Sequence, residues 1–205
     1  VQGHQGGPVM VDVYLVGVGG QGIITAARVI GDAAVLAGEK VLLSETHGMA
    51  QRGGSVVCTA RIGDRAGPLV PDMGADVILS LELLETLRAA CKANKGTVVL
   101  SSTERIVPLS VSTQKMRYPS LQEVTDKMSS MAKSVVMVDA PGLAAAAGSP
   151  ISSNIVMVGA LAGSGATGID ADRFEEAVRA NIPRKLDENL KAFSLGLEQG
   201  RKAKG

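Results

Sequence analysis

Aromatic side chains are nearly missing from this chain, which has two Phe, two Tyr and no Trp in 205 residues. That excludes the stacked platforms on which single-stranded nucleic acid is held, and an aromatic ligand cage made by this chain alone. Neither sign of charge is in excess. Lys and Arg number 21, Asp and Glu 20, and the net charge is +1, so no long-range field draws in nucleic acid or an anionic membrane. Cysteine is scarce: Cys58 and Cys91 form no CxxC pair, and two thiolates alone hold neither an iron–sulfur cluster nor a structural zinc ion. Both fall in element-like runs and read as buried, reduced thiols, and no metal site is expected. No apolar run reaches the about 18 residues of a membrane span, and nothing resembles a signal peptide, so the expected location is cytoplasmic.

Apolar residues make up 45% of the chain and charged residues 20%, a globular composition of a size that one buried core can organise. Residues 1–10, rich in Gly, Gln and His, read as a flexible arm, and residues 11–205 as a single domain. Short apolar runs predict strands over residues 11–16, 40–44, 55–62, 76–80, 97–101 and 134–139, with a return strand near 67–70 after the Gly63-Asp64 turn. Helices are predicted over 23–37, 83–93, 121–131, 154–162, 170–180 and 185–200, and Ala144 to Ala147 also reads as helical. Continuous Val, Ile and Leu runs alternating with helices predict an α/β fold. It is doubly wound and Rossmann-like, a mostly parallel sheet with helices on both faces. The stretch 61–70 is the expected source of any antiparallel pairing.

Two loops stand out. Gly17, Gly19 and Gly22 match GxGxxG directly after a strand and before a helix, with Gly20 and Gln21 between them. Glycines there allow a tight turn and close approach of a phosphate, which the free N–H groups of the helix start attract. Glu45 ends the second strand, where an acid binds ribose hydroxyls in dinucleotide folds. Alone, this motif is equally a structural turn. The second loop collects Thr46, His47, Gly48, Gln51, Arg52, Gly53, Gly54 and Ser55, a polar, Gly-flanked mixture that neither a core strand nor a solvated helix calls for. Arg52 suits a carboxylate or phosphate. His47 has no second catalytic group at readable spacing, so these residues read as ligand or partner contacts and no catalytic residue is assigned.

The segments Gly17-Val-Gly-Gly-Gln-Gly-Ile23 and Glu45-Thr-His-Gly-Met-Ala-Gln-Arg-Gly-Gly-Ser-Val-Val57 resemble the gamma-type family of 2-oxoacid:acceptor oxidoreductases, in its indolepyruvate-type branch. Residues 75–82, 154–161 (beginning with Asn154) and 182–196 match as well. The resemblance implies an accessory subunit in the oxidative decarboxylation of a 2-oxoacid, an aryl pyruvate in this branch, to an acyl-CoA. Thiamine diphosphate, magnesium and iron–sulfur clusters are then expected on a larger alpha subunit, with coenzyme A as co-substrate and ferredoxin as acceptor through the complex. An apolar surface is expected to meet that partner, given eight Met, a mean hydropathy of +0.21 and small-residue helices near 23–37 and 155–162. In isolation the same patch would support a homodimer. The other readings are a stand-alone NAD(P)-dependent Rossmann oxidoreductase and a nucleotide-binding regulator.

Overall fold

The computed structural model describes residues 9–47, 54–107 and 117–202. Six strands form one sheet: β1 (Val11–Val18), β2 (Val41–His47), β3 (Ser55–Ile62), β4 (Val77–Ser80), β5 (Val98–Ser102) and β6 (Ser134–Val138). Their order is β2-β3-β1-β4-β5-β6. The contacts β1–β4, β4–β5 and β5–β6 are parallel, whereas β3 runs antiparallel to both β1 and β2. Five strands therefore share one direction, and the mostly parallel sheet holds. The reversed strand is β3, which turns back after β2 and inserts between β2 and β1.

Both faces of the sheet are covered, which is why its central strands read as unbroken apolar runs. One face packs against α1 (Ile23–Leu36), α4 (Ala140–Ala147), α5 (Ser153–Ser164), α6 (Ala171–Asn181) and α7 (Leu186–Arg201). The other packs against α2 (Leu83–Arg88), the 3₁₀ turn Ala89–Lys92 and α3 (Leu121–Ser129). Along β1 the faces alternate as the pleat requires: Val13 and Leu15 join the first cluster, Tyr14 and Val16 the second. The chain leaves β1 for one face and β4 for the other, so the switch point of the sheet lies between the carboxyl ends of β1 and β4.

The return strand expected near 67–70 does not form. Its carbonyls are satisfied by side chains instead: Thr59 Oγ1 donates to Pro68 O at 2.7 Å, and Arg61 Nη1 to Gly67 O and Leu69 O at 2.7 and 2.9 Å. Pro68 has no N–H to give a ladder. The rest of the Arg61 guanidinium grips buried Asp12 through Nε and Nη2, each at 2.9 Å, and fixes the amino end of β1.

Of the two small-residue helices named as possible partner surfaces, the second is enclosed by its own chain, whereas Val35 and Leu36 of α1 remain exposed. All of α5 from Asn154 to Ser164 is buried, largely against α7. Two Gly-x-x-x-Gly pairs, Gly159/Gly163 and Gly196/Gly200, let the backbones touch. A Cβ at Gly196 would stand 1.9 Å from Val156 O, and one at Gly159 2.1 Å from Phe193 O. Adding one methyl, Gly196→Ala, is expected to cost about 3 kcal/mol through overpacking, read as a lower urea midpoint with unchanged slope.

The cysteines also differ from expectation. Cys58 is buried, but Cys91 is exposed. Burial, and then the Glu45 carboxylate, push the Cys58 thiol from its ordinary 9.0 up to about 12. A folded state that holds this proton more tightly keeps its full advantage below about 9 and loses it as pH rises toward 12. At pH 8 the native chain should take one iodoacetamide, on Cys91, and a second only after unfolding, as mass spectrometry would show.

Candidate functional site

The glycine loop sits at the switch point. Gly20 (φ 104°) and Gly22 (φ 77°) adopt left-handed backbone that other residues enter only at a cost. Gly19 N donates to Gly54 O at 2.9 Å, so the loop is fastened to the residue that leads into β3. Gln21 folds inward. Its Oε1 accepts from Val18 N at 2.7 Å, and its Nε2 donates to Leu81 O at 2.8 Å and Glu104 Oε2 at 2.9 Å. The carboxamide thereby joins the exits of β1 and β4 to the segment leaving β5. Gly17 makes room for it, since a Cβ there would lie 2.9 Å from Gln21 Oε1 and 2.6 Å from Ile23 Cδ1.

Asn154 closes the loop from the side of α5. It is buried, donates through Nδ2 to Gly22 O at 3.2 Å, and accepts at Oδ1 from Ile155 N at 3.0 Å. Around this joint lie two clefts of about 340 and 260 Å³, one against Gly19, Gly20 and Val56 and the other against Gln21, Glu104 and Ile151. A third, of about 350 Å³, runs from Thr25 to Arg184 and Lys185.

The described ends of the second loop, at His47 and Gly54, lie at the same end of the sheet. Across β3, His47 is in register with Val56 and Val56 with Gly17, so the backbones of His47 and Gly17 lie level. Thr46 is exposed on the edge strand β2. Gly48, Gln51, Arg52 and Gly53 lie outside the described residues. Gly54 holds the glycine loop, and Ser55 Oγ donates to Glu85 Oε2 at 2.6 Å. Glu45 is exposed on β2 opposite Cys58, which in turn faces Leu15. β3 therefore stands between Glu45 and the strand carrying the glycine loop, whereas a dinucleotide fold places the acid-bearing strand next to β1.

Three acids and a tyrosine complete the site without having been singled out from the sequence. Glu82 is 1% exposed. It caps α2 by accepting from Glu85 N at 2.9 Å, and also accepts from Ile106 N at 3.1 Å and from the Tyr118 hydroxyl. Burial, and then Glu82, push the Tyr118 hydroxyl well above its ordinary pKa. Arg105 stacks over the Tyr118 ring, 4.8 Å from its centroid. Glu85, also buried, joins Ser55 to Arg88 at 2.5 Å. Glu104 receives the Gln21 amide. The available signal was the pair of glutamates at i and i+3 inside the apolar stretch 77–87, where a solvated face has no place. Among the described residues no group of three or more His, Cys, Asp or Glu could hold a metal ion.

Residues 12–199 match the profile of the family described as pyruvate ferredoxin/flavodoxin oxidoreductase. The chain belongs to that family. It is 43% identical over 189 residues to the indolepyruvate oxidoreductase subunit IorB of Archaeoglobus fulgidus, covering 92% of this chain and 94% of the relative. The IorB subunit of Pyrococcus horikoshii is 41% identical over 190 residues, with 91% and 94% covered. Among solved structures, the keto/oxoacid ferredoxin oxidoreductase gamma subunit of Geobacter sulfurreducens superposes with a TM-score of 0.69 at 23% identity, over 94% of this chain and 99% of that one. The 2-oxoglutarate:ferredoxin oxidoreductase of Magnetococcus marinus gives 0.72 at 20% identity, over 95% of this chain but 31% of the other. These two share the fold.

Gly22→Ala tests the joint. A Cβ there would lie 2.5 Å from Asn154 Nδ2, and left-handed backbone costs a non-glycine residue about 1–2 kcal/mol. The variant should lose at least that much stability in urea, whereas Gly20→Ala, whose Cβ would meet nothing within 4 Å, should lose only the backbone share.

Proposed function

We propose that the chain is the accessory subunit of an indolepyruvate, or other aryl pyruvate, ferredoxin oxidoreductase. The observation that carries this reading is 43% identity over 92% of the chain to a subunit of that name, combined with the glycine loop and the described ends of the second loop lying at one end of the sheet. Thiamine diphosphate, magnesium and the iron–sulfur clusters belong to a larger alpha subunit. The residues here do not fit a cluster, since Cys58 is buried in β3 and Cys91 is exposed in the turn after α2. Electrons then reach ferredoxin through the complex, and the acyl group leaves on coenzyme A.

This chain's own part is binding and orientation. The loop from Gly17 to Gly22 opens onto a cleft at the first turn of α1, whose N–H groups lack helical acceptors and suit a phosphate. Coenzyme A is the phosphate-bearing reactant of the proposed reaction, so the glycine loop is assigned to it. Gln21 and Asn154 hold the loop's shape. Thr46, His47, Gly48, Gln51, Arg52, Gly53, Gly54 and Ser55 are assigned to contact with the alpha subunit or the ligand, with Arg52 supplying the fixed charge. The NAD(P) reading is disfavoured, because β3 separates Glu45 from β1.

Reconstitution tests the assignment. The chain purified alone should be colourless and should not oxidise 2-oxoacids. Adding the larger subunit should restore coenzyme A-dependent reduction of ferredoxin by indolepyruvate, and an Arg52→Ala chain should restore less of it while melting close to wild type. Stoichiometric iron or turnover in the isolated chain would sink the reading.

A further inference from the structure

The cleft between the start of α5 and the start of α7 has no role in the assignment above. It measures about 350 Å³. Ile155 and Ile182 give it apolar wall, and its two charged lining residues, Arg184 and Lys185, are both cationic. Among the described residues no carboxylate lines it. Asp187 and Glu188 in the first turn of α7 are close in sequence but outside the lining. Neither cation has an ion-pair partner among the described residues.

The backbone carrying these cations is held with care. Lys185 is left-handed at φ 51°, an unusual state for a side chain of its kind. Asn189 Nδ2 donates to Arg184 O at 3.2 Å and to Lys185 O at 2.9 Å. Its Oδ1 accepts from Ser152 Oγ at 2.7 Å, and Ser149 Oγ lies 2.8 Å from the same hydroxyl. Ser149, Ser152 and Asn189 are 1%, 3% and 5% exposed. Buried polar groups are costly unless fully paired. Here they clamp the backbone of the turn bearing both cations onto the turn at 149–152, and Arg184 and Lys185 line the cleft while remaining exposed. A cleft lined by a guanidinium and an ammonium, and by no carboxylate among the described residues, suits a phosphate group.

We propose that this cleft is a second anion subsite, which binds a phosphate group through Arg184 and Lys185. Thr25 lines both this cleft and the glycine-loop cleft, so one long ligand can place an anionic group in each. The subsite stands on its own residues; only its assignment to the same molecule rests on the glycine-loop reading.

The test is titration of the full chain with sodium phosphate, against sodium chloride at equal ionic strength, followed by amide NMR. Saturable shifts at Ile182, Arg184 and Lys185 are expected. The double variant Arg184→Gln/Lys185→Asn should weaken them at least about tenfold, as loss of charge-assisted hydrogen bonds implies. Asn tolerates the left-handed backbone, and an unchanged melting curve would show that the variant is folded. Shifts that merely follow ionic strength, or that survive in the folded double variant, overturn the proposal. Coenzyme A and its form lacking the 3′-phosphate distinguish the source. Tighter binding of the complete molecule, lost in the double variant, assigns the phosphate to the co-substrate; equal binding alongside saturable inorganic phosphate assigns it to the free ion. If Gly19→Val leaves coenzyme A affinity intact while the double variant abolishes phosphate binding, the glycine-loop reading fails and the subsite stands. The reverse pattern removes the subsite alone.

Discussion

The Gln21 carboxamide is the joint on which the carboxyl end of the sheet depends. One acceptor and two donors meet Val18 N, Leu81 O and Glu104 Oε2, so a single side chain spans the exits of β1, β4 and β5. Asn would be too short to reach them, and Glu would bring no donors. The geometry then propagates. Gly17 must lack a side chain so that Gln21 can fold back, and Gly22 must take left-handed backbone so that α1 can begin directly after it. Asn154 must pair with Gly22 O so that α5 seats beside the loop. Each such hydrogen bond contributes only about 1 kcal/mol net. Leaving a buried partner unpaired costs more, and that asymmetry makes the arrangement hard to replace piecemeal.

Most of the architecture was legible because both faces of the sheet are covered. Buried strands read as apolar runs bounded by glycine and polar residues, and all six strands were expected from such runs, although β2 at the edge is largely exposed. The position of β3 was not legible. Its run SVVCTARI carries no mark of direction, and the residues that decide its placement pair across the sheet rather than along the chain. The segment 67–70 misled for a related reason. Leu69 and Val70 suit a strand, but Pro68 lacks an N–H for a ladder, and Arg61 and Thr59 take the carbonyls of 67–69. The glycine stripes were visible as a pattern without a partner. A small-residue face on one helix suits another chain as well as its own. What settles the matter is that Gly159/Gly163 and Gly196/Gly200 share the same spacing on two helices of one domain.

Part of the site was legible for chemical reasons and part was hidden by burial. The two loops carry residue types that cores and solvated faces do not use together. Glu82 and Glu85, by contrast, are marked in the sequence only by their place inside the apolar stretch 77–87, and their partners emerge once the fold encloses them. Glu82 then spends its carboxylate on Ile106 N and Tyr118, which flank residues 108–116 on either side. A carboxylate buried this deeply is tolerated because each oxygen accepts a hydrogen bond.

Charged groups flank the glycine loop on both sides of the sheet. On the side of α2 stand Glu82, Glu85 and Glu104, each engaged with a donor of the protein, together with Arg88 on Glu85 and Arg105 over Tyr118. On the side of α5 and α7 stand Arg184 and Lys185, lining a cleft without acids among the described residues. With a net charge near zero for the whole chain, no overall field steers an anion, and any preference at the loop has to come from local groups. The insertion of β3 also changes what stands beside the loop. By moving β2 one strand outward, it takes Glu45 away from the loop, and with it the acid that would bind ribose hydroxyls in a dinucleotide fold. The same turn of the chain delivers Gly54 and Ser55 to the loop in its place. A glycine-rich strand–helix junction thus keeps its loop geometry while the acid-bearing strand of a dinucleotide fold is displaced from its side.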